Sequence, residues 1–310
     1  MTTYHTPVMV NECIEGLNLK ENGIYVDATF GGGGHTEQIL KHNNSVKVIG
    51  IDQDVDAINQ SRRLQEKYNN RFVMIQDNFA NLLNRISLEK IEHIDGILFD
   101  LGSSSFQFNE GSRGFSFQSE AKLDMRMNQD SELTAYDVIN SLDLSRLAKI
   151  MREYGEEKKS YAIAKKIVKL RKINPIETTK ELADIVSSII HKKNVIKSQA
   201  RVFQAFRIYV NDEIAVLEKA LKDSVELLNP NGRIVVMSYH SLEDRTVKRF
   251  FIEEEKDCVC SPDLLICKCS KVSTLKIITK KPKSPTQDEI GNNPRARSAK
   301  LRIAERKEIL

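Results

Sequence analysis

Short apolar runs alternate with stretches of helical period over the first third of the chain. Residues 23–29 (GIYVDAT), 46–52 (VKVIGID), 71–77 (RFVMIQD) and 94–102 (IDGILFDLG) are rich in aliphatic side chains and end in turn chemistry, which predicts four strands. Between them, TEQILKH, VDAINQSRRLQEKY and FANLLNRISLEK predict helices, with apolar residues returning at helical spacing. Strands this continuously apolar suit a parallel sheet covered on both faces, and ligands of such a sheet lie at the carboxyl ends of its strands.

The pattern breaks at residues 103–130, which hold glycines and polar residues without a clean period and read as a long loop. Residues 131–200 predict only helices, with a break at Asn174-Pro175 and a capping box at Thr178 and Glu181. A single long helix is expected from 201 to the stop signal NPNG at 229–232. A fifth strand follows at 233–239, then a helix from HSLEDRTVKRFF, and late strands at 274–282 and 298–307. The expected organisation is one α/β domain, 1–130 and 201–310, interrupted by an inserted all-helical domain at 131–200.

Composition narrows the class only a little. With 310 residues, 40% hydrophobic and 29% charged, the chain reads as an ordinary globular protein with a proper core. A net charge of +4 suits a nucleic-acid partner without requiring one. The start, MTTYHTPVMV, lacks the basic residues and long apolar region of a signal peptide. No apolar run approaches the roughly 18 residues a membrane helix needs. The expected location is the cytoplasm, with no membrane association, and there the five cysteines are not expected to pair as disulfides.

The candidate chemistry begins at DATFGGGGHT, residues 27–36. A phosphate-binding P-loop would need a lysine where His35 stands. A dinucleotide fingerprint is matched only loosely by Gly31, Gly33 and Gly34, and the adjacent Asp27 would repel a pyrophosphate. An acid there suits a ligand that carries positive charge, such as the sulfonium and α-amino group of S-adenosylmethionine. Asp52, at the end of the second strand, stands where a carboxylate accepts ribose hydroxyls, for that cofactor or for NAD. At the third strand end, Phe79 could lie on an adenine ring with Asp77 and Asn78 at its edge, or be a core aromatic. A nucleotide-dependent oxidoreductase is the disfavoured alternative.

Longer motifs then carry a resemblance. HTPVMVNE (5–12), YVDATFGGGGHT (25–36), DGILFDLGSSS (95–105), RGFSF (113–117), LDMRMN (123–128), FQAFRIYVNDE (203–213), SYHSLEDRTVKRFF (238–251) and NPRARSAKLRIAE (293–305) occur in this order. The chain resembles, over nearly its whole length, the bacterial 16S rRNA cytosine-N4 methyltransferases of the RsmH (MraW) family. The resemblance implies a Rossmann-like class I S-adenosylmethionine-dependent methyltransferase sheet with an inserted all-helical domain. It implies methylation of N4 of a cytidine in the P-site region of 16S rRNA within the small ribosomal subunit, with no obligate protein partner evident. It places cofactor contacts on Gly33, Gly34, His35, Asp52, Phe79, Asp100 and Gln107. The chain departs from the family's usual residues at Ser103, Phe106 and Tyr239, the last replacing a usual Phe.

Methylating an exocyclic amine requires an acceptor that draws density onto the nitrogen and takes its proton. Asp100, Ser104 and Ser105 follow the fourth strand, where such a group belongs, although a serine-rich turn reads the same way. The base must also leave its stack, and Phe106, Phe108, Phe115 and Phe117 could stack on nucleotides or pack in a core. Arg113, Arg126, Lys165, Lys169, Arg295 and Arg297 are candidate phosphate contacts, and His240 a candidate wall of the RNA pocket. Scattered cations also occur on any solvated face. Finally, Cys258, Cys260, Cys267 and Cys269 form C-x-C…C-x-C, which suits a structural zinc that pins the loop before the late strands.

Overall fold

The structure is a computed structural model that describes residues 7–102, 113–261, 266 and 268–308. Seven strands form one sheet: β1 (Ile24–Asp27), β2 (Lys47–Asp52), β3 (Phe72–Gln76), β4 (Ile94–Asp100), β5 (Leu228–Ser238), β6 (Leu275–Ile277) and β7 (Lys300–Arg306). Their order is β3-β2-β1-β4-β5-β7-β6. β1 to β5 run parallel, and β7 runs antiparallel to both β5 and β6. This is the Rossmann-like class I methyltransferase sheet, its late strand turned back between two others.

The apolar strands are buried on both faces, as their composition demands. Tyr25, Val48, Leu98 and Val235 point to one side, onto Leu17 and Leu40, with Ile303 of β7 beside Val235. Their neighbours Val26, Ile49, Ile97 and Ile234 point to the other, onto Leu82, Ile86, Leu221 and Phe251. Each such side chain contributes about 1.5–3 kcal/mol by leaving water. From β1 the chain steps outward to β2 and β3, then returns to the opposite side of β1 as β4. In sheets of this kind ligands lie outside the carboxyl ends of the strands, at such a reversal of strand order.

The chain divides into two compact units: Met1–Gly102 with Ile214–Leu310, which holds the sheet, and Ser103–Glu213. The second has its own core, built by helices Ala135–Ser141, Leu144–Glu153, Ser160–Leu170, Thr179–Ile189 and Val195–Asn211. Thr134 with Asp137 and Thr178 with Glu181 form reciprocal capping boxes at two of these helices. The stretch expected to be a loop supplies Phe115, Leu123 and Met125 to that core, and Phe117 stands edge-on to Phe203 at 5.7 Å. Core packing is therefore the role of Phe115 and Phe117 here; Phe106 and Phe108 lie outside the described residues. The single long helix expected from 201 is two, Val195–Asn211 and Glu213–Leu227, because Asp212 adopts a left-handed conformation (φ 48°) between them. Among the described residues no helix is long and apolar enough to cross a membrane.

Candidate active site

The glycine run is a turn between β1 and helix Gly34–His42. Gly33 takes φ 73°, and a Cβ added to it would lie 2.5 Å from the Phe30 ring. A Cβ on Gly34 would lie 3.0 Å from Pro7 Cγ. Both glycines are thus required by packing inside the protein. A Cβ on Gly32 would meet nothing within 4 Å, so this is the residue whose backbone stands open.

Three carboxylates gather at the strand ends, each in a different environment. Asp52 closes β2 and accepts the Gly31 N–H through Oδ2 at 2.8 Å and the Asp54 N–H through Oδ1 at 2.9 Å. Burial pushes its pKa up to about 6 against these two stabilising bonds. Each oxygen keeps a lone pair for a further donor. Asp27 closes β1 and is only 1% exposed. Its carboxylate accepts the Thr36 hydroxyl at 2.7 Å and the Thr29 N–H at 3.3 Å, and burial raises its pKa. The acid that the sequence set against a positively charged ligand is sealed under the turn, and its hydrogen bonds hold the turn together.

Asp100 closes β4 and is more accessible than Asp27, with its side chain 15% exposed. Its Oδ1 accepts the Gly102 N–H at 3.3 Å, and its backbone N–H donates to Thr29 Oγ1 at 2.6 Å. Oδ2 lies 3.7 Å from His35 Nδ1, while His35 Nε2 lies 2.9 Å from the Val8 carbonyl oxygen. The Tyr239 phenol lies beside this carboxylate; burial and the Asp100 charge push the phenol's pKa up, so it stays protonated. Tyr239 was visible in the sequence only as a departure from the family's usual Phe. Its place beside Asp100 brings the residue after β5 to the end of β4, a proximity between distant segments that no local signal announces.

Phe79 is half-buried just past β3, edge-on to Phe99 at 5.8 Å, with one side left uncovered by the core. The Asn78 side chain caps the Phe79–Asn81 turn through Ala80 N–H and donates to Gln53. The Asp77 carboxylate is engaged by Arg85, Asn81 and the Asn78 N–H, which hold its pKa below the ordinary value. It organises the turn rather than offering itself to a ligand edge. Ser104, Ser105 and Gln107 lie outside the described residues.

The candidate RNA residues fall into two groups. Lys165 and Lys169 are exposed one turn apart on helix Ser160–Leu170, and Arg295 and Arg297 are exposed on the short turn Pro294–Ser298. Arg113 instead donates to the carbonyls of Arg126 and Met127 at 2.9 and 2.7 Å. Arg126 forms a paired contact with Asp124 and donates to the carbonyl oxygens of Gln129 and Ser131. His240 is the N-cap of helix Ser241–Glu255: its Nδ1 accepts the Glu243 N–H, and Glu243 reaches back to the His240 N–H. Glu243, three residues after His240, was the available sequence signal for that cap. Cys258, Cys260 and Cys269 place their sulfurs within 4.8 Å of one another, and Cys267 lies outside the described residues.

Together, the ends of β1, β2, β3 and β4 present an open backbone, a carboxylate with spare acceptor capacity, a half-exposed aromatic and a second carboxylate. A nucleoside cofactor fits this set: Asp52 for ribose hydroxyls, Phe79 for a flat base, Gly32 for close backbone approach, and Asp100 for a polar or reacting group. Comparison with known proteins bears on the same question. The residue pattern of the MraW methylase family matches residues 2–307. The ribosomal RNA small subunit methyltransferase H of Carboxydothermus hydrogenoformans is 48% identical over 304 residues, 97% of each chain. The protein of that name from Clostridioides difficile is 45% identical over 310 residues, 99% of this chain and 100% of that one. The one from Finegoldia magna is 43% identical over 306 residues, 97% of this chain and 98% of the other.

Proposed function

This chain belongs to the MraW methylase family, and from that premise we propose that it methylates N4 of a cytidine in the P-site region of 16S rRNA, using S-adenosylmethionine. The substrate is the small ribosomal subunit and the place of action the cytoplasm. The observation that carries the reading is the placement of Asp52 and Asp100 at the ends of β2 and β4, the two strands that flank β1 and its open glycine turn. The relatives' names supply the substrate class.

S-adenosylmethionine, when bound, supplies an electrophilic methyl on a sulfonium. The protein's share is to bind, orient and take up a proton. Asp52 accepts the ribose hydroxyls on the lone pairs its backbone bonds leave over, and Phe79 covers the adenine. Cytosine N4 is a poor nucleophile because its lone pair is delocalised into the ring. An ionised carboxylate has about four acceptor positions, and the Gly102 N–H takes one of them on Asp100, beside the Tyr239 phenol. The remaining capacity accepts an N4 hydrogen, draws density onto the nitrogen and takes the proton as the carbon–nitrogen bond forms. Holding Asp100 in place beforehand is the larger share of its effect. Ser104 and Ser105 remain candidates for a second acceptor on sequence alone. Lys165, Lys169, Arg295 and Arg297 hold RNA phosphates.

Transfer of labelled methyl from S-adenosylmethionine to small subunits, followed by mapping of the modified nucleotide, tests the proposal. The expected product is N4-methylated cytidine in the P-site region, missing in subunits from a strain without the protein. Label on another atom, or on large-subunit RNA only, would refute it.

A further inference from the structure

We propose that Cys258, Cys260 and Cys269 bind a zinc ion that fixes the excursion between helix Ser241–Glu255 and β6, a site separate from the methyl-transfer centre. Among the described residues, nothing between Phe251 and Leu275 belongs to the buried apolar core. Val259, Ile266 and Val272 are 52, 73 and 52% exposed. Apolar burial therefore does not account for the path of this segment. Its return is tied at the base, where Ser273 Oγ donates to the Glu255 carbonyl at 2.7 Å and Thr274 N–H to the Glu254 carbonyl at 2.9 Å. Beyond that base the sulfurs are the feature that converges.

Their spacing is that of a metal site. The Cys258 and Cys269 sulfurs are 3.8 Å apart, and all three lie within 4.8 Å of one another. Thiolates held about 2.3 Å from zinc at the corners of a tetrahedron are about 3.8 Å apart. A disulfide would need about 2.05 Å, so the pair is not bonded as one. Each sulfur also faces a backbone amide. The Val259 N–H points to Cys269 Sγ at 3.5 Å, Cys260 N–H to Cys258 Sγ at 3.4 Å, and Lys268 N–H to Cys260 Sγ at 3.4 Å. Amide donors of this kind stabilise negative charge on sulfur and aim its remaining lone pairs, which is the surrounding a coordinated thiolate needs. Three soft donors select zinc over magnesium or calcium. Each thiol that coordinates gives its proton to solvent, so uptake weakens as pH falls. Cys267 lies outside the described residues.

The test uses the full-length protein purified without chelator. Elemental analysis should find about one zinc per chain, and X-ray absorption should show sulfur neighbours at about 2.3 Å. The paired variant Cys258→Ser with Cys269→Ser should lose the zinc. Cobalt(II) added to the metal-free, unmutated chain should give thiolate-to-cobalt charge-transfer absorption with tetrahedral d–d bands. That reading needs no mutant and so decides the matter even if the variant fails to fold. Zinc retained by the folded variant, or no charge-transfer band with cobalt, would overturn the proposal. So would a Cys258–Cys269 disulfide in protein kept under reducing conditions.

Discussion

In Ser103–Glu213, polar side chains close helix ends: Thr134 and Asp137, Thr178 and Glu181, and Asp143 all cap. Arg113 and Arg126 tie down backbone carbonyls. In the sheet-bearing unit, Asp27, Asp52 and Asp100 are crowded at strand ends, and burial raises the pKa of the first two. Next to them two glycines take positive φ. One unit uses polarity to finish its structure. The other keeps charge in costly places beside a glycine turn, which is where chemistry is expected.

The contrast can be broken at several points, the most severe first. Asp100→Ala should lower turnover by about 10²–10³ at saturating cofactor, the scale for losing one preorganised polar group. Full turnover at saturation, with affinity measured separately by calorimetry, would reduce Asp100 to a cofactor ligand. Asp52→Ala should weaken cofactor binding by roughly 1.5–3 kcal/mol, the value of hydrogen bonds to a charged group. In the unmutated protein Asp52 must be ionised to accept both hydroxyls. Affinity should therefore decline as pH falls through about 6. The effect on stability has the opposite sense. The folded-state pKa lies above the unfolded value of 3.8, so the ligand-free protein loses this contribution to stability as pH rises through about 6. A calorimetric Kd that does not change between pH 5 and 8 would remove Asp52 from the ribose site.

Gly33→Ala should destabilise the protein by about 1–3 kcal/mol through left-handed strain and contact with Phe30. Gly32→Ala should leave the melting temperature of the ligand-free protein nearly unchanged. Equal melting temperatures for the two variants would contradict the division of the glycine turn into packed and open positions. The smallest effect is expected from Lys165→Glu with Lys169→Glu in the helical unit. RNA binding should weaken several-fold and its salt dependence should flatten by about two phosphate contacts, with cofactor affinity unchanged. An unaltered salt slope would make that face merely solvated and leave the helical unit without a demonstrated part in binding.

The strands were legible because near-continuous apolar runs such as VKVIGID have few other uses, and the structure places strands in all seven predicted stretches. Their order was not. Nothing local says that β7 enters between β5 and β6, since that is decided by pairing across the sheet. The acids were legible as residues at strand ends and illegible as roles. Asp27 and Asp52 look alike in sequence, yet two threonines close one beneath the turn while two amides leave the other lone pairs to spare. Tyr239 and His240 show the same limit at adjacent positions. One lies against Asp100 and the other caps a helix, and their side chains diverge only once β5 has met β4.

The split of the sheet-bearing unit across the chain has a consequence during synthesis. Asp100 of β4 pairs with Met237 of β5, and the whole of Ser103–Glu213 is translated between them. The helical unit draws its core from within its own span, Phe115 to Phe206, so it can close as soon as it has emerged. β4 by then has β1 on one side and an open row of amides and carbonyls on the other. β5 covers that row, but β6 must wait for β7, the partner made after it. For that interval the nascent chain carries a finished helical unit beside an incomplete parallel sheet, the edge of which is a template for pairing with other chains.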